Sequence, residues 1–156
     1  MKIVKAGPIK LGSITYEEAY HKLFNENILE KKHGKIIDFR DTKDYRKFSF
    51  EIQVNNIPVE LKRFFCGKNL KITTRQYLEK CPERWTISNK IKMHFLGAEF
   101  FKIKPFFYLE QKNDQLFFSA KVENHAIFPP GLSHIAEHFM CLQTEKELDN
   151  FIELIN

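Results

Sequence analysis

The sequence predicts an α+β fold built on an antiparallel sheet, and three observations carry that prediction. Between residues 45 and 126, apolar and polar side chains alternate with period two in run after run, the pattern of strands with one buried and one wet face. On either side of that stretch, at 15–28 and from Leu132 onward, the apolar period lengthens to that of a helix. The breaks are short turn signals, with no repeat and no Pro/Gly/Ser-rich linker, so the 156 residues read as one domain, 1–156.

Residues 2–11 read as a short strand with a turn or bulge at Gly7-Pro8, ended by Gly12-Ser13. Thr15 with Glu18 three residues on is a capping-box pattern, and Tyr16, Ala19, Tyr20, Leu23, Phe24 and Ile28 follow at helical spacing. His33-Gly34 closes this helix or a second short turn, with Glu30-Lys31-Lys32 as its solvated end. A short run Ile36-Ile37-Asp38-Phe39 precedes the strand at 45–54, where Phe48, Phe50, Ile52 and Val54 share one face and Lys47, Ser49, Glu51 and Gln53 the other. Asn55-Asn56 and Pro58 stop it, and residues 59–65 read as a connecting helical turn ending at Gly67.

Three further runs alternate. Their apolar faces are Leu70, Ile72, Thr74, Gln76 and Leu78; then Trp85, Ile87, Asn89, Ile91, Met93 and Phe95; then Phe101, Ile103, Phe107 and Leu109. Asn113-Asp114 turns the chain into a last strand with Leu116, Phe118, Ala120, Val122, Asn124 and Ala126 on one side. Pro129-Pro130-Gly131 ends the sheet. The remainder reads as one continuous helix, although Thr144 with Glu147 offers a second capping pattern at which a fresh helix would begin.

Composition narrows the class. Sixteen Phe and 43% hydrophobic residues exclude a disordered chain. Cys66, Cys81 and Cys141 are odd in number and widely spaced, which argues against a disulfide framework or zinc ribbon and points to a reducing, cytoplasmic setting. The first residues interleave charge with apolar side chains, so neither a signal peptide nor a membrane span is expected. Phosphate-binding loop, dinucleotide fingerprint and serine nucleophile elbow are all missing, so no cofactor is expected and serine hydrolysis is unsupported. His21, His33, His94 and His125 stand singly among charged or turn residues and read as surface histidines.

The order strand, helix, about six antiparallel strands and a closing helix resembles the START-like (helix-grip, SRPBCC) superfamily over nearly the whole chain. The resemblance implies a curved sheet of about six to seven strands wrapped around the long C-terminal helix, with a cavity between them that holds a lipid or other apolar small molecule without catalysis. Polar residues on the apolar face are then the ones expected to orient a ligand, because a buried amide without a partner is costly. These are Thr74, Gln76, Asn89 and Asn124, set among Trp85, Met93, Phe107, Phe118, Phe139 and Met140.

Two other readings come from the same residues. His134, Glu137 and His138 form H-x-x-E-H, a spacing that puts two imidazoles one helical turn apart. Over residues 131–145 this resembles the insulinase-like zinc peptidases, which implies metal binding by His134 and His138 and a general base at Glu137. That family's distant third ligand, a Glu, has no counterpart here, and Cys141 is the candidate to replace it. Separately, Lys71, Arg75, Lys90, Lys92, Lys102, Lys104 and Lys121 fall on the outward side of successive strands, a basic face suited to transient contact with an anionic membrane or nucleic acid, within a formal net charge of +5.

Overall fold

The computed structural model describes residues 1–65, 69–95, 97–128 and 131–155. Seven strands, β1 (Lys2–Gly12), β2 (Ile37–Asp41), β3 (Arg46–Gln53), β4 (Asn69–Lys80), β5 (Arg84–His94), β6 (Phe101–Lys112) and β7 (Gln115–Ala126), form one sheet in the order β1-β7-β6-β5-β4-β3-β2. Every neighbouring pair is antiparallel. From β2 to β7 each strand lies beside the next one in the chain, and β1 alone crosses over to close against β7. The sheet curves over a helix of 24 residues, α3 (Leu132–Ile155).

Turn chemistry sets the joints. Asn113 and Asp114 both take left-handed backbone angles, φ 51° and 61°, as a two-residue hairpin loop with the twist of its strands requires. In β1 the pairing with β7 slips between Ala6 and Ile9, so Gly7-Pro8 is the bulge that the sequence indicated. Gly7 has φ +88°, and a Cβ there would lie 2.6 Å from the Phe118 carbonyl oxygen, so only glycine fits against β7.

Of the two readings the sequence left for residues 15–34, one helix or a helix followed by a second short turn, the structure takes the divided form, with two helices, α1 (Tyr16–Phe24) and α2 (Glu26–His33). Thr15 caps the first as expected, its hydroxyl accepting from the Glu18 N–H at 3.1 Å. Asn25 separates them. Its Oδ1 accepts from the Ile28 N–H at 2.8 Å while its Nδ2 donates to the His21 carbonyl at 3.0 Å, so one side chain ends α1 and starts α2. The connection after β3 is a 3-10 turn, Val59–Phe64; Cys66 and Gly67, like Pro129 and Pro130, lie outside the described residues.

Thr144 begins no new helix. It lies mid-way along α3 and its hydroxyl donates inward to Asn124 Oδ1 at 3.1 Å. Among the described residues, no helix is long and apolar enough to cross a membrane.

The apolar face packs as three clusters. One joins Phe24, Phe107, Phe118 and Phe151, with ring centroids between 5.4 and 6.0 Å apart. A second gathers Leu61, Phe101, Phe128, Phe139 and Met140, and a third Leu29, Phe48, Phe50 and Ile72. Where the three meet, under α3 and beside α2, they leave space.

Candidate ligand-binding site

That space is a cavity of about 210 Å³ between the inner faces of β3 to β7 and α3, flanked by α2. Its walls include Phe48, Phe50, Leu70 and Ile72 from β3 and β4, Ile91 and Met93 from β5, Phe101 and Phe107 from β6, Val122 from β7, and Phe139, Met140, Leu148 and Phe151 from α3. It exceeds the roughly 150 Å³ of engineered apolar cavities that admit benzene. Residues from opposite sides of strand-to-helix packing thus bound one apolar volume, because rings as large as Phe48, Phe107 and Phe139 hold the layers apart without filling the gap between them.

Seven of the ten residues singled out in the sequence line this volume: Thr74, Gln76, Asn89, Met93, Phe107, Phe139 and Met140. Gln76 and Asn89 are cross-strand partners on β4 and β5, and both are almost fully buried. Asn89 Nδ2 donates to the Pro105 carbonyl at 3.4 Å. Gln76 Oε1 is buried with no donor among the described residues, an omission that costs about 1–3 kcal/mol unless something supplies one.

The other three do not border the cavity. Trp85 lies at the far end of β5, stacked on Tyr16 of α1 with centroids 5.2 Å apart. Phe118 is packed behind Phe107 and Phe151, within the aromatic cluster. Asn124 is wholly buried and internally engaged, accepting from Thr144 and placing its Nδ2 3.9 Å from the Cys141 sulfur. Alternation assigns a side chain to the inner face, but position along the strand decides whether it meets α1, the ring cluster or open space.

The structure adds polar residues that the sequence reading placed elsewhere. Lys32, read as a solvated helix end, directs its ammonium into the cavity, 4.5 Å from the Phe151 ring centroid and 5.2 Å from that of Phe107. Burial pulls its pKa from 10.5 down to about 8, with Glu147 of α3 opposing the shift. His33 is no surface histidine: its ring stacks on Phe50 at 3.9 Å, and burial, then the neighbouring Lys32 charge, holds it well below the usual imidazole range. Gln143 and Glu147 complete the polar rim on α3. The signal lay in the helical period: Ile28, Leu29, Lys32 and His33 occupy one stripe, and Leu29 is buried.

The H-x-x-E-H residues do not converge. His134 and His138 are exposed, while Glu137 turns to the sheet edge, where its Oε1 lies 3.2 Å from the Met1 ammonium, 3.5 Å from His125 Nδ1 and 3.5 Å from the Ala126 N–H that donates to it. Burial favours the neutral Glu137 carboxyl, but the ammonium hydrogen bond, the Ala126 N–H and His125 outweigh it and hold the pKa below the ordinary carboxylate value. Cys141 is buried beside Asn124, away from the exposed histidines, and burial raises its thiol. Among the described residues, no three His, Cys, Asp or Glu side chains gather as a metal-binding group.

On the convex face the basic residues align across strands: Lys47 opposite Arg75, Arg75 opposite Lys90, Lys71 opposite His94, and Lys92 opposite Thr73. Lys102 and Lys104 on β6 and Lys121 on β7 share that side. His94 accepts or donates a 2.9 Å bond with Thr73 Oγ1, and its pKa is lowered by desolvation and then by Lys92, Lys71 and Lys47. No family model and no curated protein matches the chain.

Proposed function

We propose that this protein binds an apolar small molecule or lipid, without catalysis, in the cavity between the sheet and α3. The observation that carries the reading is the roughly 210 Å³ volume walled mostly by apolar side chains, since a well-formed apolar pocket with a few convergent polar groups is the usual form of a small-molecule site. The unpartnered Gln76 Oε1 supports it further, being an acceptor that a ligand hydroxyl or N–H would satisfy. The strand order, with β1 beside β7 and the C-terminal helix under the sheet, is compatible with the START-like helix-grip superfamily, and we include membership of it in the proposal.

Solvent extraction of the purified protein followed by mass spectrometry is expected to recover a co-purified apolar compound, and 1-decanol to bind saturably at one site. Ile91→Trp, which places an indole in the cavity, should weaken 1-decanol at least about tenfold, with a packing cost of about 1–3 kcal/mol. If the extract is empty and 1-decanol fails to saturate, the reading is wrong.

The convex face favours a second contact, with an anionic membrane surface from which the ligand is delivered or collected. Its charges are dispersed lysines on an open sheet with one arginine, Arg75, among the seven, which suits a diffuse surface charge better than base readout. Vesicles containing phosphatidylserine should be bound at low salt and released as salt rises. Lys71→Glu with Lys92→Glu should lower that affinity by about 1 kcal/mol or more per site; vesicle binding indifferent to both salt and charge reversal would exclude the idea.

A further inference from the structure

Among the described residues, one cation stands inside this apolar volume. Lys32 extends from α2 into the cavity, and its ammonium rests against the faces of Phe107 and Phe151, at 5.2 and 4.5 Å from their centroids. Among the described residues, no hydrogen bond or ion pair is made by this ammonium. Ring quadrupoles compensate a buried ammonium only in part, since a desolvated cation-π contact contributes about 2 kcal/mol, well short of what the lost hydration is worth. Among the described residues, the titratable side chains lining the cavity are Lys32 and His33 on α2 and Glu147 on α3, and the facing strands contribute none.

We propose that the cavity selects apolar carboxylates, the Lys32 ammonium receiving the carboxylate while the hydrocarbon portion fills the space between the sheet and α3. The inference rests on the cavity being a binding site, and it names the ligand class. Glu147 favours the Lys32 charge from a distance but forms no ion pair with it among the described residues, so the ammonium matches at most one ligand negative charge. A phosphate, with up to two, calls for a second cation, and the neighbouring ring cannot serve: His33 is held neutral, its pKa well below the usual value. A ligand ammonium would meet like charge, and a neutral head would leave the ammonium as poorly compensated as before. The carboxylate supplies a charge-assisted hydrogen bond in a low-dielectric setting, where such bonds are strongest. Among the described residues, Glu147 on the α3 rim is the carboxylate that acts on the same ammonium, and it makes no ion pair with it.

Calorimetric titration with decanoate, 1-decanol and decylamine, three probes with one chain and different heads, tests the proposal. At pH 7 decanoate is expected to bind at least about tenfold tighter than 1-decanol, and decylamine weaker than either. Because the free Lys32 loses its proton near a pKa of about 8, decanoate should weaken as pH rises from 7 to 9, by up to about tenfold, while 1-decanol does not. Lys32→Met should abolish the preference for decanoate and retain 1-decanol; the pH series tests the same point on the unaltered chain. Equal binding of decanoate and 1-decanol overturns the selectivity and leaves the cavity reading intact, as does a preference that survives in Lys32→Met. Failure of all three probes to bind overturns both.

Discussion

Lys32→Met is expected to stabilise the fold by about 2–3 kcal/mol at pH 7, although it removes, among the described residues, the one cation of the cavity wall that is charged at that pH. Burial displaces the lysine from 10.5 to about 8, so the folded state disfavours its charge. The sign follows from proton counts. Below the folded pKa both states carry the proton, and the folded state bears the full cost of the buried charge. Between about 8 and 10.5 the unfolded chain holds more protons than the folded one, so stability rises with pH across that window. The advantage of Lys32→Met should therefore be largest at pH 7 and shrink toward nothing by about pH 10.5. Methionine keeps the length of the stem and a sulfur suited to ring contact, so the variant tests charge more than shape.

Chemical denaturation of both proteins between pH 7 and 10.5 makes the comparison. A Lys32→Met that is less stable at every pH by a constant amount would show that the ammonium is well paired and that its environment is not as described. Measurements belong above pH 7 because His33 has its own window: its folded pKa is depressed, so the stability tied to the neutral ring is complete above about 6.5 and is lost as pH falls below it.

Phe118→Ala should cost about 3–5 kcal/mol, the usual range for truncating a fully buried ring, and so remove a large share of the 5–15 kcal/mol typical of a domain. Phe118 is 1% exposed and packs on Phe107 and Phe151 at 5.9 and 5.6 Å between centroids. The denaturation midpoint should fall with little change in slope. The folded fraction should keep its affinity for 1-decanol within a few fold, because the ring lies behind the cavity wall. A ligand-contacting Phe118, as the alternation in the sequence placed it, would show the opposite pattern: a modest loss of stability and a large loss of affinity.

The two outcomes separate residues that build the floor of the cavity from residues that border it. Phe107 and Phe118 look equivalent in the sequence, both large and both on inward-facing positions of adjacent strands. In the sheet Phe107 pairs opposite Ala120, and Phe118 opposite Leu109. That one step along the ladder puts Phe107 beside the open volume and Phe118 within the closed cluster. The same reasoning separates Asn89 from Asn124. The first reaches the cavity with its amide tied to the Pro105 carbonyl, and the second is enclosed by α3 through Thr144 and Cys141.

What the amino-acid order determined by itself was the direction of each side chain along a strand: Phe48, Ile72, Ile87, Phe107 and Phe118 all face the core, and Lys71, Lys90 and Lys104 all face away from it. Direction is a local property, set by the two-residue pleat, and so are the Asn113-Asp114 hairpin, the Gly7-Pro8 bulge and the cap at Thr15. Depth and emptiness are not local. Whether an inward residue meets another ring or a void depends on how far α3 stands from each strand, which is the summed result of side chains brought together from six or more elements. Lys32 and His33 illustrate the limit: in sequence they end a short polar helix, and only the seating of α2 against β3 and α3 turns that end into a wall of the cavity.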